Sequence, residues 1–250
     1  MRNTICQGIH SALQSSDFIQ VMTPIITSND CEGAGEMFSV GVKQNGHIDL
    51  ESFFNTPAYL TVSGQLQAEM IAHAMSRVYT FGPAFRAENS NTTRHLCEFW
   101  MIEPEMCFAD MATLQELATH VIGSTVKTLL DTRQEDIAFL AQRVEKTLPA
   151  QLEVLENRAN YCHLTYTEAV EVLTRKGVRF DVPVKWGIDL QSEHEKYLCE
   201  QYCGNKPLFL TDYPETIKPF YMKANGDGKT VAAMDLLVPR IVGADGRRSG

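Results

Sequence analysis

Hydrophobic and polar positions along the first third of the chain follow two periods, which predicts both helices and strands. Residues 2–16 form a polar, moderately helical opening, and residues 18–27 (FIQVMTPIIT) are rich in β-formers, with Pro24 at a sheet edge or bend. Apolar and polar residues alternate over 53–62, and helical spacing follows to about residue 75. We therefore expect helix, strand, strand and helix in that order.

The middle and end of the chain predict a hairpin, helices and then short strands. Two β-rich runs, 77–85 (RVYTFGPAF) and 97–108 (CEFWMIEPEMCF), flank a polar loop, which favours an antiparallel pair. Residues 110–156 predict two amphipathic helices, and 165–176 predict another, so that about 110–176 is mainly helical. Three short strands follow, in PLFLTDYP, PFYMKA and KTVAAMDLLVP. Strands at both ends with helices between them favour an α+β fold with an antiparallel sheet over a doubly wound parallel one.

Length and composition restrict the classes of protein that fit. A chain of 250 residues and 28.0 kDa with 44% hydrophobic residues has enough apolar side chains for one large domain, which excludes a disulfide miniprotein and wholesale disorder. A net charge of −9 argues against general basic attraction to nucleic acid, although a local site fits. No apolar run approaches the about 18 residues of a membrane span, and the start lacks a secretory signal, so we expect a soluble, unsecreted protein.

The seven cysteines are an odd number at irregular spacing, which predicts free thiols in a reducing compartment. Cys199 and Cys203 are four residues apart, with His194 about one turn away, so a metal site is conceivable. No second ligand pair follows them. We therefore favour buried, small hydrophobic side chains.

The predicted hairpin carries the charged residues most suited to chemistry. Three groups able to carry positive charge, Arg86, Arg94 and His95, lie with Glu88 and Glu98 on the loop and its strand ends. Such a set suits the binding of a polyphosphate with a metal ion. A solvated loop has the same composition, so composition alone leaves both interpretations open.

A resemblance to a known family decides between them. The stretch FGPAFRAENSNTTRHLCEFWMIEPEM resembles motif 2 of the class II aminoacyl-tRNA synthetases. Together with DFIQVMTPIITSNDCEGAGEMF and FFNTPAYLTVSGQLQAE, it is most similar to the asparaginyl members of the aspartyl/asparaginyl subgroup, and the similarity continues to about Pro239. The resemblance implies a ligase whose antiparallel sheet, flanked by helices, binds ATP beside an amino acid, joins them as an aminoacyl-adenylate and passes the acyl group to tRNA.

The resemblance also assigns roles on the nucleotide side. Arg86 is the implied catalytic residue, and it bridges the amino-acid carboxylate and the α-phosphate of ATP, because an Arg fork holds two oxygens at fixed angles. Glu88 is expected at the adenine amino group or a nearby water, His95 at the distal phosphates and Phe99 on the face of the adenine ring. Asp235 is the implied Mg²⁺ ligand.

On the amino-acid side, the implied residues separate asparagine from aspartate. Ala68 stands where the similar aspartyl enzymes carry a Lys in SPQxxK, so no cation is available for a substrate carboxylate. Glu103 can accept from the substrate amide and would repel a carboxylate. Ser63, Gln65 and Glu32 are expected to hold the substrate amino group. For each of these, a capping or surface role is the alternative, and Ser63 also suits the N-cap of the helix that follows it.

The expected partners are asparagine, ATP and tRNA(Asn), in the cytoplasm or an organelle and without a membrane. The opening helix with FIQVMTPIIT resembles motif 1, which implies a homodimer. Two departures stand out: we find no N-terminal OB-fold domain, and the residues after DLLVP do not match the Glu-bearing strand and motif 3 of relatives. We therefore expect a partial catalytic domain over 1–250, truncated at its C-terminal side.

Two functions fit these departures. One is an asparagine–tRNA ligase whose sequence here is incomplete and inactive alone, and the other is a truncated, inactive fragment that acts as a binding or dimerisation module. Ammonia-dependent asparagine synthetase shares the fold and is a further enzyme alternative, but the residues in its motifs differ from those of this chain.

Overall fold

A computed structural model describes residues 1–31, 36–44, 46–50, 53–88, 96–175 and 177–239. Its α-helices in these ranges are α1 (Arg2–Ser15), α2 (Gln65–Met75), α3 (Met111–Thr132), α4 (Gln134–Arg143), α5 (Leu148–Glu156), α6 (Tyr166–Leu173) and α7 (Ser192–Lys196). The strands are β1 (Ile19–Gln20), β2 (Ile26–Thr27), β3 (Ser39–Val40), β4 (Val42–Gln44), β5 (His47–Asp49), β6 (Ala58–Leu60), β7 (Arg77–Phe85), β8 (Glu98–Met106), β9 (Cys162–Thr165), β10 (Leu208–Pro214) and β11 (Thr230–Leu237). Within these ranges, no helix is both long and apolar enough to cross a bilayer.

The chain divides into two compact units. The hairpin unit is Leu13–Ala109, and the discontinuous unit combines Met1–Ala12 with Asp110–Gly250.

The hairpin unit is built around β7 and β8. They pair antiparallel along their whole length, from Arg77 opposite Met106 to Phe85 opposite Glu98, which confirms the predicted hairpin. Ala68 and Ala72 of helix α2 pack against the wholly buried Val78 of β7. This contact fixes the start of α2 over the hairpin.

The discontinuous unit contains a three-stranded sheet in the order β11, β10, β9. Helix α6 packs on this sheet, and its own start is closed by a capping box in which Thr165 and Glu168 bond each other's backbone N–H groups. Strand β10 is buried at almost every position because it lies between two neighbours. This strand and β11 bring Tyr213 and Asp235 into the same unit.

Strand direction differs in part from the prediction. Strands β10 and β11 are antiparallel, but β9 and β10 are parallel, as are β1 and β7. A parallel pair requires a long connection between its strands, and the chain between β9 and β10 supplies one with α6 and α7. Hydrophobic periodicity carries no information about direction.

Two further boundaries differ. Residues 110–156 form three helices, not two. Helix α4 ends at Arg143, and a separate helix, α5, begins at Leu148 with a proline in its first turn. The run PFYMKA is not a strand: Phe220 is exposed there, and Ala224 makes only an isolated bridge with Val231. Aromatic residues in that run raised its β-propensity without a neighbouring strand to pair it.

The cysteine pair lies in the core of the discontinuous unit. Cys199 and Cys203 are buried among apolar side chains, and burial is the main cause that raises the pKa of each thiol to about 12. His194 is buried with both ring nitrogens engaged, since Nδ1 accepts from the Gln191 N–H and Nε2 bonds the Val182 carbonyl, each at 3.0 Å. The favoured interpretation, buried small side chains, is confirmed.

Candidate functional site

Arg86 and Phe99 come together at the loop end of the β7–β8 hairpin. The backbone N–H of Arg86 donates to the Cys97 carbonyl at 3.0 Å, which extends the pairing one step beyond β7. The guanidinium carbon lies 5.3 Å from the centre of the Phe99 ring, within cation–π range. The Nε of Arg86 is shielded from solvent and has no hydrogen-bond partner among the described residues. A buried guanidinium donor without an acceptor is destabilising, so this nitrogen is suited to an anionic ligand.

Other predicted nucleotide positions are less fully described. Glu88 is half-buried two residues beyond Arg86. Arg94 and His95 lie outside the described residues, as does Glu32 on the amino-acid side. Their roles stay predictions.

Glu103 accepts three hydrogen bonds at the start of α2. Its Oε2 accepts from the Gly64 N–H at 3.0 Å and from Thr80 Oγ1 at 2.9 Å, and its Oε1 accepts from the Ser63 hydroxyl. Ser63 Oγ accepts in turn from the Gln65 N–H at 3.1 Å. The carboxylate thus lies at the positive end of α2, where free amides and the helix dipole stabilise an anion.

The hydrogen bonds of this network give two of the predicted binding residues, Ser63 and Glu103, a structural role as well. The N-cap of α2 is Gly64 and not Ser63, but the Ser63 hydroxyl does accept from the Gln65 amide in the first turn of the helix. A carboxylate has about four acceptor positions, so Glu103 retains room for a further donor from a ligand. Thr80 was missed by sequence reasoning, although it lies directly opposite Glu103 in the predicted hairpin. The antiparallel register would have identified Thr80, but local sequence patterns do not specify that register.

Gln65 and Ala68 lie on the first turn of α2. The Gln65 amide donates to Glu69 Oε1 at 2.9 Å, one turn farther along the helix. Ala68 is completely buried and packs with Ala72 and Val78. Alanine provides no cation at position 68. A longer side chain there would enter a packed region.

A cleft of about 200 Å³ opens beside the Glu103 network. A cavity of about 150 Å³ holds a molecule the size of benzene, so this cleft has room for a small amino acid. Its walls include Gly64, Thr80, Glu103 and Met22. Among the described residues predicted to bind the amino acid, only Glu103 lines the cleft. A Cβ at position 64 would come within 2.7 Å of Thr23 Oγ1, so the close approach of this turn requires glycine.

Asp235, the predicted metal ligand, lies on β11 in the discontinuous unit. Its side chain is half-exposed, and Oδ2 lies 3.3 Å from the Lys218 ammonium. No three His, Cys, Asp or Glu side chains of the described ranges gather into a metal-binding group. Mg²⁺ commonly uses one or two carboxylates and takes its other ligands from phosphates and water. Asp235 could supply one such carboxylate ligand, although its Oδ2 is paired with Lys218.

Comparisons with known proteins show the family of the chain. The family model of the class II tRNA synthetases (D, K and N) matches residues 1–246. The chain belongs to this family. The asparagine–tRNA ligase of Thermosynechococcus vestitus is 50% identical over 96% of the chain, and the chloroplastic/mitochondrial asparagine–tRNA ligase of Arabidopsis thaliana is 48% identical over 96%.

Solved structures of class II synthetases share the fold. Asparaginyl-tRNA synthetase from Pyrococcus horikoshii, complexed with asparaginyl-adenylate, matches 95% of the chain with a TM-score of 0.79 and 29% identity, and 50% of that chain is covered. The predicted α+β fold of a class II synthetase catalytic core is thereby confirmed. The chain spans about half the length of its curated relatives, 54% of the T. vestitus ligase and 46% of the A. thaliana ligase.

Proposed function

We propose that this class II synthetase chain belongs to an asparagine–tRNA ligase, which activates asparagine with ATP and transfers it to tRNA(Asn). The observation that carries the proposal is 50% identity to a curated asparagine–tRNA ligase across 96% of the chain. Bacterial relatives favour a cytoplasmic location, whereas the A. thaliana relative is organellar by name.

Arg86 is the proposed catalytic residue. In activation, a carboxylate oxygen of asparagine bonds to the α-phosphorus of ATP, and the bond from that phosphorus to the bridging oxygen of pyrophosphate breaks. Negative charge builds on the phosphoryl oxygens, so a fixed cation that holds both reactants lowers the barrier. The shielded, unpartnered Nε of Arg86 and the Phe99 ring 5.3 Å from its guanidinium carbon support this role. Glu88 and His95 complete the proposed ATP contacts.

The proposed selection of asparagine depends on charge. The carboxylate of Glu103 disfavours a second carboxylate nearby, and Ala68 supplies no compensating cation. Ser63, Gln65 and Glu32 are the proposed partners of the substrate amino group. The turn that carries Ser63 and Gln65 is held in place by hydrogen bonds from Ser63 and Gly64 to Glu103, which supports a fixed geometry for the substrate.

Asp235 is the proposed protein ligand of Mg²⁺. When bound, the ion would neutralise phosphate charge. The contribution of this chain is the half-exposed carboxylate itself, which β11 holds beside Lys218.

A second copy of the chain is the proposed partner at the motif 1 region. Ile19, Ile25 and Ile26 are partly exposed there, and Met22 is 91% exposed. An apolar patch of this kind is typical of an interface. Analytical ultracentrifugation would test it: Met22→Glu should weaken a dimer, whereas a monomeric parent chain would contradict the assignment.

Asparagine-dependent exchange of pyrophosphate into ATP tests the ligase proposal. This chain spans about half the length of its relatives, so the test uses a full-length protein that contains it. That protein should support exchange with asparagine and not with aspartate or lysine. Absence of exchange by a folded full-length preparation, at the level of a control without amino acid, would contradict the proposal.

A pair of substitutions tests selection. In a full-length protein that contains this chain, Ala68→Lys should weaken the use of asparagine and permit some exchange with aspartate. Because Ala68 is completely buried, circular dichroism first establishes that the variant is folded. Ala72→Lys is the matched control, since it introduces the same charge one turn farther along α2 at a similarly buried alanine. If neither variant, or both equally, gains aspartate exchange, the assignment of Ala68 is wrong.

A further inference from the structure

The Thr80 side chain contacts the Glu103 carboxylate from the opposite strand. Thr80 is buried on β7, only 3% exposed, and lies directly across from Glu103 of β8. Its hydroxyl donates to Glu103 Oε2 at 2.9 Å. A Cβ at position 64 would come within 3.1 Å of both Thr80 Oγ1 and Thr80 Cγ2, so the start of α2 packs directly against this side chain. Because threonine is branched at Cβ, such packing leaves it little freedom to rotate.

The two oxygens of Glu103 differ in how many donors they already accept from. A carboxylate oxygen has about two acceptor positions. Oε2 accepts from Thr80 and from the Gly64 N–H at 3.0 Å, so both of its positions are occupied. Among the described residues, Oε1 accepts only from the Ser63 hydroxyl. Glu103 therefore offers a ligand one acceptor position, on the oxygen that it shares with Ser63.

This remaining position suits the side-chain amide of asparagine. An amide N–H donates a hydrogen bond, whereas the carboxylate of aspartate only accepts and carries a negative charge. An acceptor selects between the two only if it stays in one place, and the terminal torsion of a glutamate is broad unless neighbouring groups restrict it. Thr80 and Gly64 restrict it from two different elements, β7 and the start of α2.

We propose that Thr80 is a positioning residue for the selection of asparagine: its hydroxyl occupies Oε2 of Glu103 and leaves Oε1 as the acceptor for the substrate amide. This inference rests on the proposed role of Glu103 in selection. It goes further by naming the residue that acts through Glu103 and the carboxylate oxygen that meets the substrate.

Thr80→Val in a full-length protein that contains this chain tests the inference. Valine has nearly the shape of threonine and lacks the hydroxyl, so the variant removes the hydrogen bond to Oε2 and leaves the packing in place. Pyrophosphate exchange is measured while asparagine and ATP are varied in turn. The kcat/KM for asparagine should fall about tenfold, as the loss of a hydrogen bond to a charged group predicts, and the KM for ATP should stay within about twofold of the parent value.

Two variants serve as controls. Thr80→Ser keeps the hydroxyl and should retain kcat/KM for asparagine within about threefold of the parent. Thr119→Val makes the same change at a similarly buried threonine of α3, whose hydroxyl donates to the Gln115 carbonyl, and should leave both kinetic constants unchanged. If Thr80→Val fails to fold by circular dichroism, Thr80→Ala is measured against the same criteria.

A fall of less than threefold in kcat/KM for asparagine would overturn the inference. So would a Thr80→Ser variant as impaired as Thr80→Val, or a rise in the KM for ATP equal to that for asparagine, because either result indicates a general structural role. A full-length parent without asparagine-dependent exchange contradicts the ligase proposal and this inference with it, whereas an active parent with an unaffected Thr80→Val variant contradicts the inference alone.

Discussion

Replacing Glu103 by glutamine should loosen the start of α2. The carboxylate accepts from Ser63, Gly64 and Thr80, and a neutral amide has one acceptor oxygen and a donor group in place of the second oxygen. At least one of the three donors therefore loses its acceptor. A hydrogen bond to a charged group contributes roughly 1.5–3 kcal/mol, so we expect a loss of about 2 kcal/mol in the opening free energy of this turn.

Hydrogen exchange at the Gly64 amide measures that loss directly. A change of about 2 kcal/mol corresponds to about 30-fold faster exchange of an amide that opens locally. Glu98→Gln is the matched control, because it makes the same change at the exposed first residue of the same strand. If the Gly64 amide exchanges within threefold of the same rate in the two variants, the Glu103 carboxylate does not hold the turn and the reasoning fails.

Three further predictions concern catalysis, packing and pH. In a full-length protein that contains this chain, Arg86→Ala should reduce asparagine-dependent pyrophosphate exchange by at least about 30-fold, since loss of one partner of a desolvated charge pair costs about 2–5 kcal/mol. Arg143→Ala is the control, and a loss below tenfold would count against the role. Gly41→Ala should destabilise the chain by about 1–3 kcal/mol in urea unfolding, because the new Cβ would meet a backbone carbonyl at 2.6 Å. Gly82→Ala, where nothing lies within 4 Å, should cost far less, and equal effects would refute the packing argument. Hydrogen bonds in the α6 capping box lower the pKa of Glu168. The stability that the ionised carboxylate gives to the fold is therefore present above its ordinary pKa and is lost as pH falls through the lowered value. The difference in unfolding free energy between parent and Glu168→Gln should shrink from about pH 6 to about pH 3, and a constant difference would contradict this.

Local patterns in the sequence predicted several elements closely. Strands 77–85 and 97–108 were expected as a hairpin and are found as β7 and β8, because alternating apolar residues on either side of a polar loop specify this structure. The burial of Cys199 and Cys203 was also predicted, because their side chains are small and apolar and no second pair of metal ligands follows them. The family resemblance added what periodicity does not contain, which is the identity of residues such as Arg86.

Contacts between distant segments were beyond local reasoning. The sequence does not show that Glu103 and Thr80 share the start of α2, or that Lys218 meets Asp235 over the ring of Tyr213. The parallel direction of β9 beside β10 was missed for the same reason. Periodicity and capping are set by neighbours within a few residues, whereas strand order and the partner of a charge depend on how separate elements pack.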